Sequence, residues 1–513
     1  MSLSLIEFFD KGVQIEPDRP CLVFGDERRS YAEVQRASCR IANALLRDGF
    51  GVGTHVAVLS PNAVAAFECV LGVVRAGCTW VPVNARNSLD ETLYVLDHTD
   101  TTVLFYAEAF AELAAEARRR LPGISQAICI DGPAGLGGWL RDAPDERPEL
   151  FIPPDAIATL ACSGGTTGRP KGVLATHRTW AFRIAETVLR TATERPVHLV
   201  AAPMTHAAGA AALEMMVMGA THVVLPGFDP AAIVDAIGRH GVTHLFLPPT
   251  AIYRLLAWPG VREGDYRSLR YFTYAAAPMA PARVKEAIEV FGPVMGQGYG
   301  GTEMGTSVCW LSPDDHAAIL ASQDDRRLLS CGRPTPMVRV EIMDDAGHVL
   351  PAGQAGEIVV RSHSLAAGYY KNPEETAAAF AGGWFHTGDI GSKDQEGFVL
   401  ISDRKKDMII SGGLNIYPSE VEKVILAHPA VQDCAVIGAP HDLWGEAVKA
   451  VVELKPGVAA AEVDLDSLCR AGLAGYKVPK SYEFWPELPR SPVGKVLKRV
   501  VRERFWPEGA RRI

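Results

Sequence analysis

His55-Val56-Ala57-Val58-Leu59, Thr79-Trp80-Val81-Pro82-Val83 and Thr102-Val103-Leu104-Phe105-Tyr106 are three short apolar runs rich in β-branched and aromatic residues. The segments between them have the length and amphipathic spacing of helices. Strands joined through helical crossovers must pair in parallel, and strands covered on both faces read as unbroken apolar runs. The stretch therefore predicts layered α/β structure from Ser30 to about Gly227. The same rhythm continues with strands at 156–161, 198–202, 222–225 and His244–Leu247, and Pro230–His240 reads as a crossover helix.

Beyond Gly332 the texture changes to short strands with turn signals: Arg339–Met343, the turn 344–347, then 356–361 and 397–401. A small β-rich subdomain is expected there. The charged run Asp403-Arg404-Lys405-Lys406-Asp407 separates it from a segment with its own strands, 434–437 and 448–454, and helices near Ser419 and Leu465. The fold class is α/β multidomain: a large N-terminal domain, 1–402, of layered α/β subdomains plus the β-rich subdomain, and a small mobile α+β C-terminal domain, 403–513. The Ala/Gly/Pro stretch 131–154 reads as a surface loop.

At 513 residues, 48% of them hydrophobic, the chain can fill two or more cores. A net charge of -9 with interspersed acids and bases, and no long basic run, argues against nucleic acid as a partner. The ten cysteines are scattered, without metal-ligand spacing, which suits reduced thiols in the cytoplasm. The first ten residues lack a basic leader pattern, and the most apolar stretch, 209–228, is interrupted by Glu214 and His222, so neither export signal nor membrane span is expected.

Chemistry enters with Ser163-Gly164-Gly165-Thr166-Thr167-Gly168-Arg169-Pro170-Lys171-Gly172, which sets glycines, hydroxyls and a lysine after a strand candidate. Backbone N–H groups and hydroxyls there can close around phosphate oxygens. It is not a Walker loop, because Lys171 follows proline and precedes glycine; a flexible surface turn is the alternative.

The string resembles the phosphate-loop signature of the adenylate-forming enzymes, which include acyl-CoA synthetases, luciferases and peptide-synthetase adenylation domains. The family's other motifs follow in order over essentially the whole chain. Gln297-Gly298-Tyr299-Gly300-Gly301-Thr302-Glu303 is similar to the adenine and magnesium motif, Thr387-Gly388-Asp389 to the ribose motif, 403–418 to the hinge motif, and 492–495 to the lysine loop.

The resemblance implies an acid:thiol ligase using ATP, Mg²⁺ and CoA as co-substrate. It implies catalytic roles for Lys495, Thr302, Glu303 and His206. The ATP site would use Ser163, Gly164, Gly165, Thr166, Thr167, Gly168, Lys171, Ala276, Ala277, Pro278, Gly298, Tyr299, Gly300, Thr302, Asp389, Ile401, Arg404 and Lys495. Mg²⁺ would meet Glu303 and Thr166; CoA would meet Ser411, Gly412, Gly413, Trp444 and Lys477; the acyl pocket would involve His206, Ala207, Gly209, Ala275 and Gly300, with Asp403 as hinge. The acid is expected to be a medium- to long-chain fatty acid, with aryl or alicyclic acids, or transfer to a carrier-protein thiol, as alternatives. Base rates of oligomerisation add a possible homodimer.

Each residue also has a plainer reading. Tyr299 offers a flat face to a purine and Glu303 hard oxygens to Mg²⁺, yet a carboxylate there also suits a helix start. Asp389 could accept from two ribose hydroxyls or cap its own turn. Lys495 could bridge carboxylate and α-phosphate or be a solvated charge. His206 and Trp444 could each be core. Many relatives carry Gly-Gly-Ala-Pro where this chain has Ala275-Ala276-Ala277-Pro278, and the added methyls narrow that space.

Overall fold

The computed structural model describes all residues except 1–2, 133–134, 163–169, 206, 306, 323–324, 405–406, 413, 442, 461–462, 491–495 and 507–513; at 207, 404 and 415 it describes the backbone only. Among the described residues four sheets form. The first has nine strands, in spatial order Arg333–Pro334, Cys309–Leu311, Met295–Tyr299, Tyr271–Ala275, His244–Leu247, Val197–Val200, Thr221–Val224, Pro20–Phe24 and Glu27–Ser30. The second has seven: Gly368–Tyr369, Gly172–Thr176, Ile157–Cys162, Thr79–Val83, His55–Leu59, Val103–Tyr106 and Gln126–Cys129. The interior strands of both are mostly parallel, as the helical crossovers require.

Local chemistry sets the crossovers. Asp229 caps Pro230–His240 by accepting from Ala232 N, Pro230 sits in the first turn, and Gly241 ends the helix at φ +61°. Ser30 and Glu33 form a capping box ahead of Tyr31–Arg47, whose buried Tyr31, Val34, Ser38, Ile41 and Leu45 recur every three or four residues. That helix packs on Val64–Arg75, where a side chain at Gly72 would come within 2.3 Å of Ile41.

The third sheet, Arg339–Met343, Ala355–Arg361, Phe385–Lys393 and Val399–Arg404, is antiparallel and is the expected β-rich part. A fourth combines Ile409–Ser411, Leu414–Ile416, Val431–His441 and Gly445–Leu454, with Ser481–Trp485 parallel to the last. Its core, including Ile409, Val421, Val436, Val448 and Val478, is separate from those of the two large sheets.

Three expectations need correction. The α/β pattern begins before Ser30, because Leu5–Ile15 is a helix and Pro20–Phe24 joins the nine-stranded sheet beside Thr221–Val224. The stretch 131–154 is not simply a loop: Leu136–Trp139 is a short helix whose Trp139 lies edge-on to Phe105 at 5.5 Å and donates to Asp48 at 2.7 Å. The charged run from Asp403 does not lie wholly between the β-rich part and the C-terminal segment: Asp403 and Arg404 end the strand Val399–Arg404, paired with Ile390 and Asp389.

Candidate active site

The strands Tyr271–Ala275 and Met295–Tyr299 run side by side in parallel, and their register sets Ala275 against Gly298. Both motifs thus leave the sheet at the same end. A side chain at Gly298 would meet Ser307 Oγ at 2.4 Å, so the glycine permits that close approach. Ala276 sits at φ +73°, a left-handed conformation that suits glycine, and is exposed. Ala277 is half-buried and Pro278 exposed.

Tyr299 does not present an open ring. Its strand is buried throughout, the ring is 9% exposed among Val308, Cys309, Val340 and Ile358, and its hydroxyl donates to Asp389 Oδ2 at 2.6 Å. Burial and the Asp389 carboxylate push the Tyr299 hydroxyl well above its usual pKa, so it stays a donor. Asp389 is 8% exposed and lies within a strand, not in a free turn. The strand is bulged there: Gly388 takes φ +69° and donates to Glu357 Oε1 at 3.1 Å, while Asp389 N donates to Thr387 Oγ1 at 3.0 Å. Ile401, on the neighbouring strand, is 39% exposed.

After Tyr299 the chain passes through Gly300 and the exposed Thr302 to Glu303, which stands in a turn and not at a helix start. Glu303 Oε1 accepts from the Tyr369 hydroxyl at 3.3 Å. Lys171 Nζ lies 5.2 Å from the centre of the Tyr369 ring and is ion-paired with Glu375. The two-residue strand Gly368–Tyr369 makes this possible, because it pairs with Gly172–Thr176 directly after Lys171. Lys171 and the Glu303 carboxylate thus meet through Tyr369. Sequence reading missed Tyr369 and Glu375, although Asn372 followed by Pro373 signals the start of the helix that carries Glu375.

Asn62 is a further residue that the motifs did not single out. It lies on the connection after His55–Leu59 of the seven-stranded sheet, and its side chain reaches the nine-stranded one. Its Nδ2 donates to Ala202 O and to Leu225 O, each at 3.0 Å, and its Oδ1 accepts from Met204 N at 2.9 Å. The start of the Met204-Thr205-His206 segment is therefore fixed to both sheets. At Gly209, expected in the acyl pocket, a Cβ would lie 1.7 Å from Met204 O, so the backbone packs there with no room for a side chain.

In the C-terminal sheet, Ser411 pairs with both Leu414 and Gly445, and Gly412 N donates to Trp444 O at 2.9 Å. Gly412 has φ +57°, a hairpin conformation that favours glycine. Trp444 is not core. It is 37% exposed, stacked on His441 at 4.4 Å, with Lys480 Nζ 5.3 Å from its centre. Lys477 is engaged by both carboxylate oxygens of Glu420, at 2.6 and 2.7 Å. Asp403 Oδ2 accepts from Ser419 N at 2.8 Å, and the Ser419 hydroxyl bonds Ser402 O, so the strand expected to carry the hinge is tied to the helix Pro418–Leu426.

Ser163, Gly164, Gly165, Thr166, Thr167, Gly168, His206, Gly413 and Lys495 lie outside the described residues, as do the side chains of Ala207 and Arg404.

Comparison with known proteins decides the family. Residues 9–370 match the AMP-binding enzyme family and residues 420–495 the AMP-binding enzyme C-terminal domain. The chain belongs to the AMP-binding enzyme family. Within it, the chain is of the AMP-forming acyl-CoA synthetase type. It is 37% identical to a feruloyl-CoA synthase of Amycolatopsis sp over 501 residues, covering 96% of this chain and 97% of that one. A fatty acid–[acyl-carrier-protein] ligase, ScoC, of Streptomyces coeruleorubidus is 31% identical, covering 99% and 98%. Among solved structures, ATP-bound MatB from Rhodopseudomonas palustris superposes with a TM-score of 0.89 at 30% identity, covering 98% and 99%. No helix among the described residues of this family member is long and apolar enough to cross a membrane.

Proposed function

We propose that the chain is an ATP-dependent carboxylic acid:CoA ligase that forms acyl-AMP and pyrophosphate, then acyl-CoA and AMP. The observation that carries this reading is the convergence of Lys171, Tyr369 and Glu303 four residues beyond the buried Tyr299–Asp389 pair. A carboxylate is a poor acyl donor because oxide is its leaving group. Joining its oxygen to the α-phosphate, with loss of pyrophosphate, provides AMP as a leaving group that a thiol displaces.

In this reading Lys171 exchanges Glu375 for nucleotide phosphate, and residues 163–168 supply further donors. Asp389, aligned by Tyr299, accepts the ribose hydroxyls. Ala276 to Pro278 and Gly298 to Gly300 flank the base, and Lys495 meets the carboxylate and α-phosphate. The site suits Mg²⁺, because the half-buried Glu303 offers a single hard carboxylate and Mg²⁺ is held by one or two carboxylates together with substrate phosphates. When bound, it would neutralise charge on the phosphate oxygens.

For the second half-reaction we assign Ser411, Gly412 and Trp444 to the thiol arm, with Lys480 as a cation beside Trp444. The units 1–402 and 403–513 turn about Asp403 between the two steps. The acid is hydrophobic. The small apolar residues Ala275 to Ala277 suit a hydrophobic acid; the 34% identity to a medium/long-chain fatty acid–CoA ligase supports a medium- or long-chain fatty acid, and the 37% identity to a feruloyl-CoA synthase favours an aryl acid as the second reading. The likeness to ScoC keeps a carrier-protein thiol as a second acceptor to test.

The test is a panel of fatty, aryl and amino acids with ATP and Mg²⁺, run with CoA and with a carrier protein. A thioester formed from one acid class only with CoA supports the proposal. Adenylate that CoA leaves unchanged overturns the choice of acceptor.

A further inference from the structure

Glu303 stands in a turn, closed by Met304 N donating to Gly301 O at 3.1 Å, and something outside that turn must hold it. Ala366 N donates to Glu303 O at 2.8 Å. Beside Ala366 N and the Tyr369 hydroxyl, a further anchor, on the residue before Glu303, is Arg183, from the helix His177–Thr191 and only 7% exposed. Its Nε donates to Ser364 O at 3.1 Å and its Nη2 to Thr302 O at 3.4 Å, while its guanidinium lies 5.4 Å from the Trp180 ring centre. One planar cation thus spans the segment that carries Glu303 and the segment that leads to Tyr369.

The surroundings are shaped for that side chain. Gly305 takes φ +89°, and a Cβ there would lie 2.7 Å from Arg183 Nε. Burial lowers the Arg183 pKa to about 10, opposed by the charge of Glu214, so the guanidinium remains charged at neutral pH. Glu214 is itself buried and accepts from Thr187 Oγ1 at 2.6 Å. A lysine in place of Arg183 would keep the charge but replace a two-directional fork with a point donor.

We propose that Arg183 is a positioning residue for the metal-binding carboxylate: by holding the carbonyls of Thr302 and Ser364 it fixes where Glu303 meets the divalent cation on ATP. This rests on the role given to Glu303 under Proposed function.

The experiment measures Mn²⁺ affinity of the enzyme–ATP complex by electron paramagnetic resonance, and ATP affinity without divalent ions by calorimetry. The proteins are wild type, R183Q, R183K, G305A and E303Q. The expected result is Mn²⁺ binding weakened about tenfold or more in R183Q and G305A and less in R183K, with metal-free ATP affinity within about twofold of wild type. Should R183Q fail to fold, R183K and G305A, which disturb the same contact from its two sides, decide the matter. Mn²⁺ affinity unchanged in the Arg183 and Gly305 variants but weakened in E303Q overturns this proposal and leaves the Glu303 reading standing. Unchanged affinity in E303Q overturns both.

Discussion

Tyr299→Phe removes one oxygen and keeps the buried ring, which isolates the bond from Tyr299 to Asp389. That bond measures 2.6 Å and both partners are at most 9% exposed. A hydrogen bond to a charged group contributes about 1.5–3 kcal/mol, and little solvent reaches Asp389 to replace it, so a cost near 2 kcal/mol is expected. The assay is a double-mutant cycle with Asp389→Asn, read as denaturation midpoints of the four proteins, with calorimetric AMP affinity alongside. Y299F should cost about 2 kcal/mol in the native background and about 1 kcal/mol in the D389N background, because the asparagine oxygen still accepts but without the charge. AMP affinity should fall in Y299F and further in D389N. A coupling energy below about 0.5 kcal/mol would refute the claim that Tyr299 serves Asp389.

Asn62→Asp should destabilise more than Asn62→Ala, because it sets a carboxylate against the carbonyls of Ala202 and Leu225, whereas alanine admits water from the adjoining cavity of about 240 Å³; thermal melts check the order, and steady-state kinetics should show the acid KM rising more than the ATP KM. Ala276→Gly should be neutral to about 1.5 kcal/mol stabilising, since a left-handed alanine costs about 1–2 kcal/mol and glycine's extra unfolded entropy about 0.5–1, while Ala275→Gly in ordinary strand conformation should destabilise; denaturant midpoints give both signs. Asp403→Pro removes the carboxylate that accepts from Ser419 N and the backbone N–H of the residue paired with Ile390, and should spare acid-dependent pyrophosphate release while abolishing thioester formation; equal loss of both contradicts the hinge. Stability should fall on acidification from pH 6.5 towards 4. His177 and His244 are held near 4, His222 near 3 and His198 well below 6.5, all by burial first, so the unfolded chain binds more protons throughout that window. Glu68, raised to about 7, and Glu422, also raised, both by burial, work in the opposite direction, but as two groups against the four histidines they lessen the slope without reversing it; a denaturation series across pH measures the sign.

What the sequence made legible follows from period and punctuation. Pro230–His240 is found at its expected bounds because Asp229, Pro230 and Gly241 mark both ends chemically. The strands Thr79–Val83 and His244–Leu247 are apolar runs covered on both faces. Glu27–Ser30 escaped notice because an edge strand of Glu, Arg, Arg and Ser carries no apolar run. Sheet order is invisible to periodicity, which is why the meeting of Gly368–Tyr369 with Gly172–Thr176, and hence of Tyr369 with Lys171, could not be foreseen. Arg183 and Asn62 act on backbone carbonyls and N–H groups distant in sequence, and no local pattern announces such bonds. Ala276 is the reverse case: its place in a glycine-type motif was readable, and the structure adds that the alanine keeps the left-handed conformation.

The proposed chemistry stands or falls on one step: the chain activates an acid as its adenylate before any thiol takes part. Acid-dependent exchange of labelled pyrophosphate into ATP, measured with and without CoA, isolates that step. The expected result is exchange that requires a hydrophobic acid and proceeds without CoA, and that gives way to AMP and acyl-CoA when CoA is added. Exchange that no acid in the panel stimulates would contradict it.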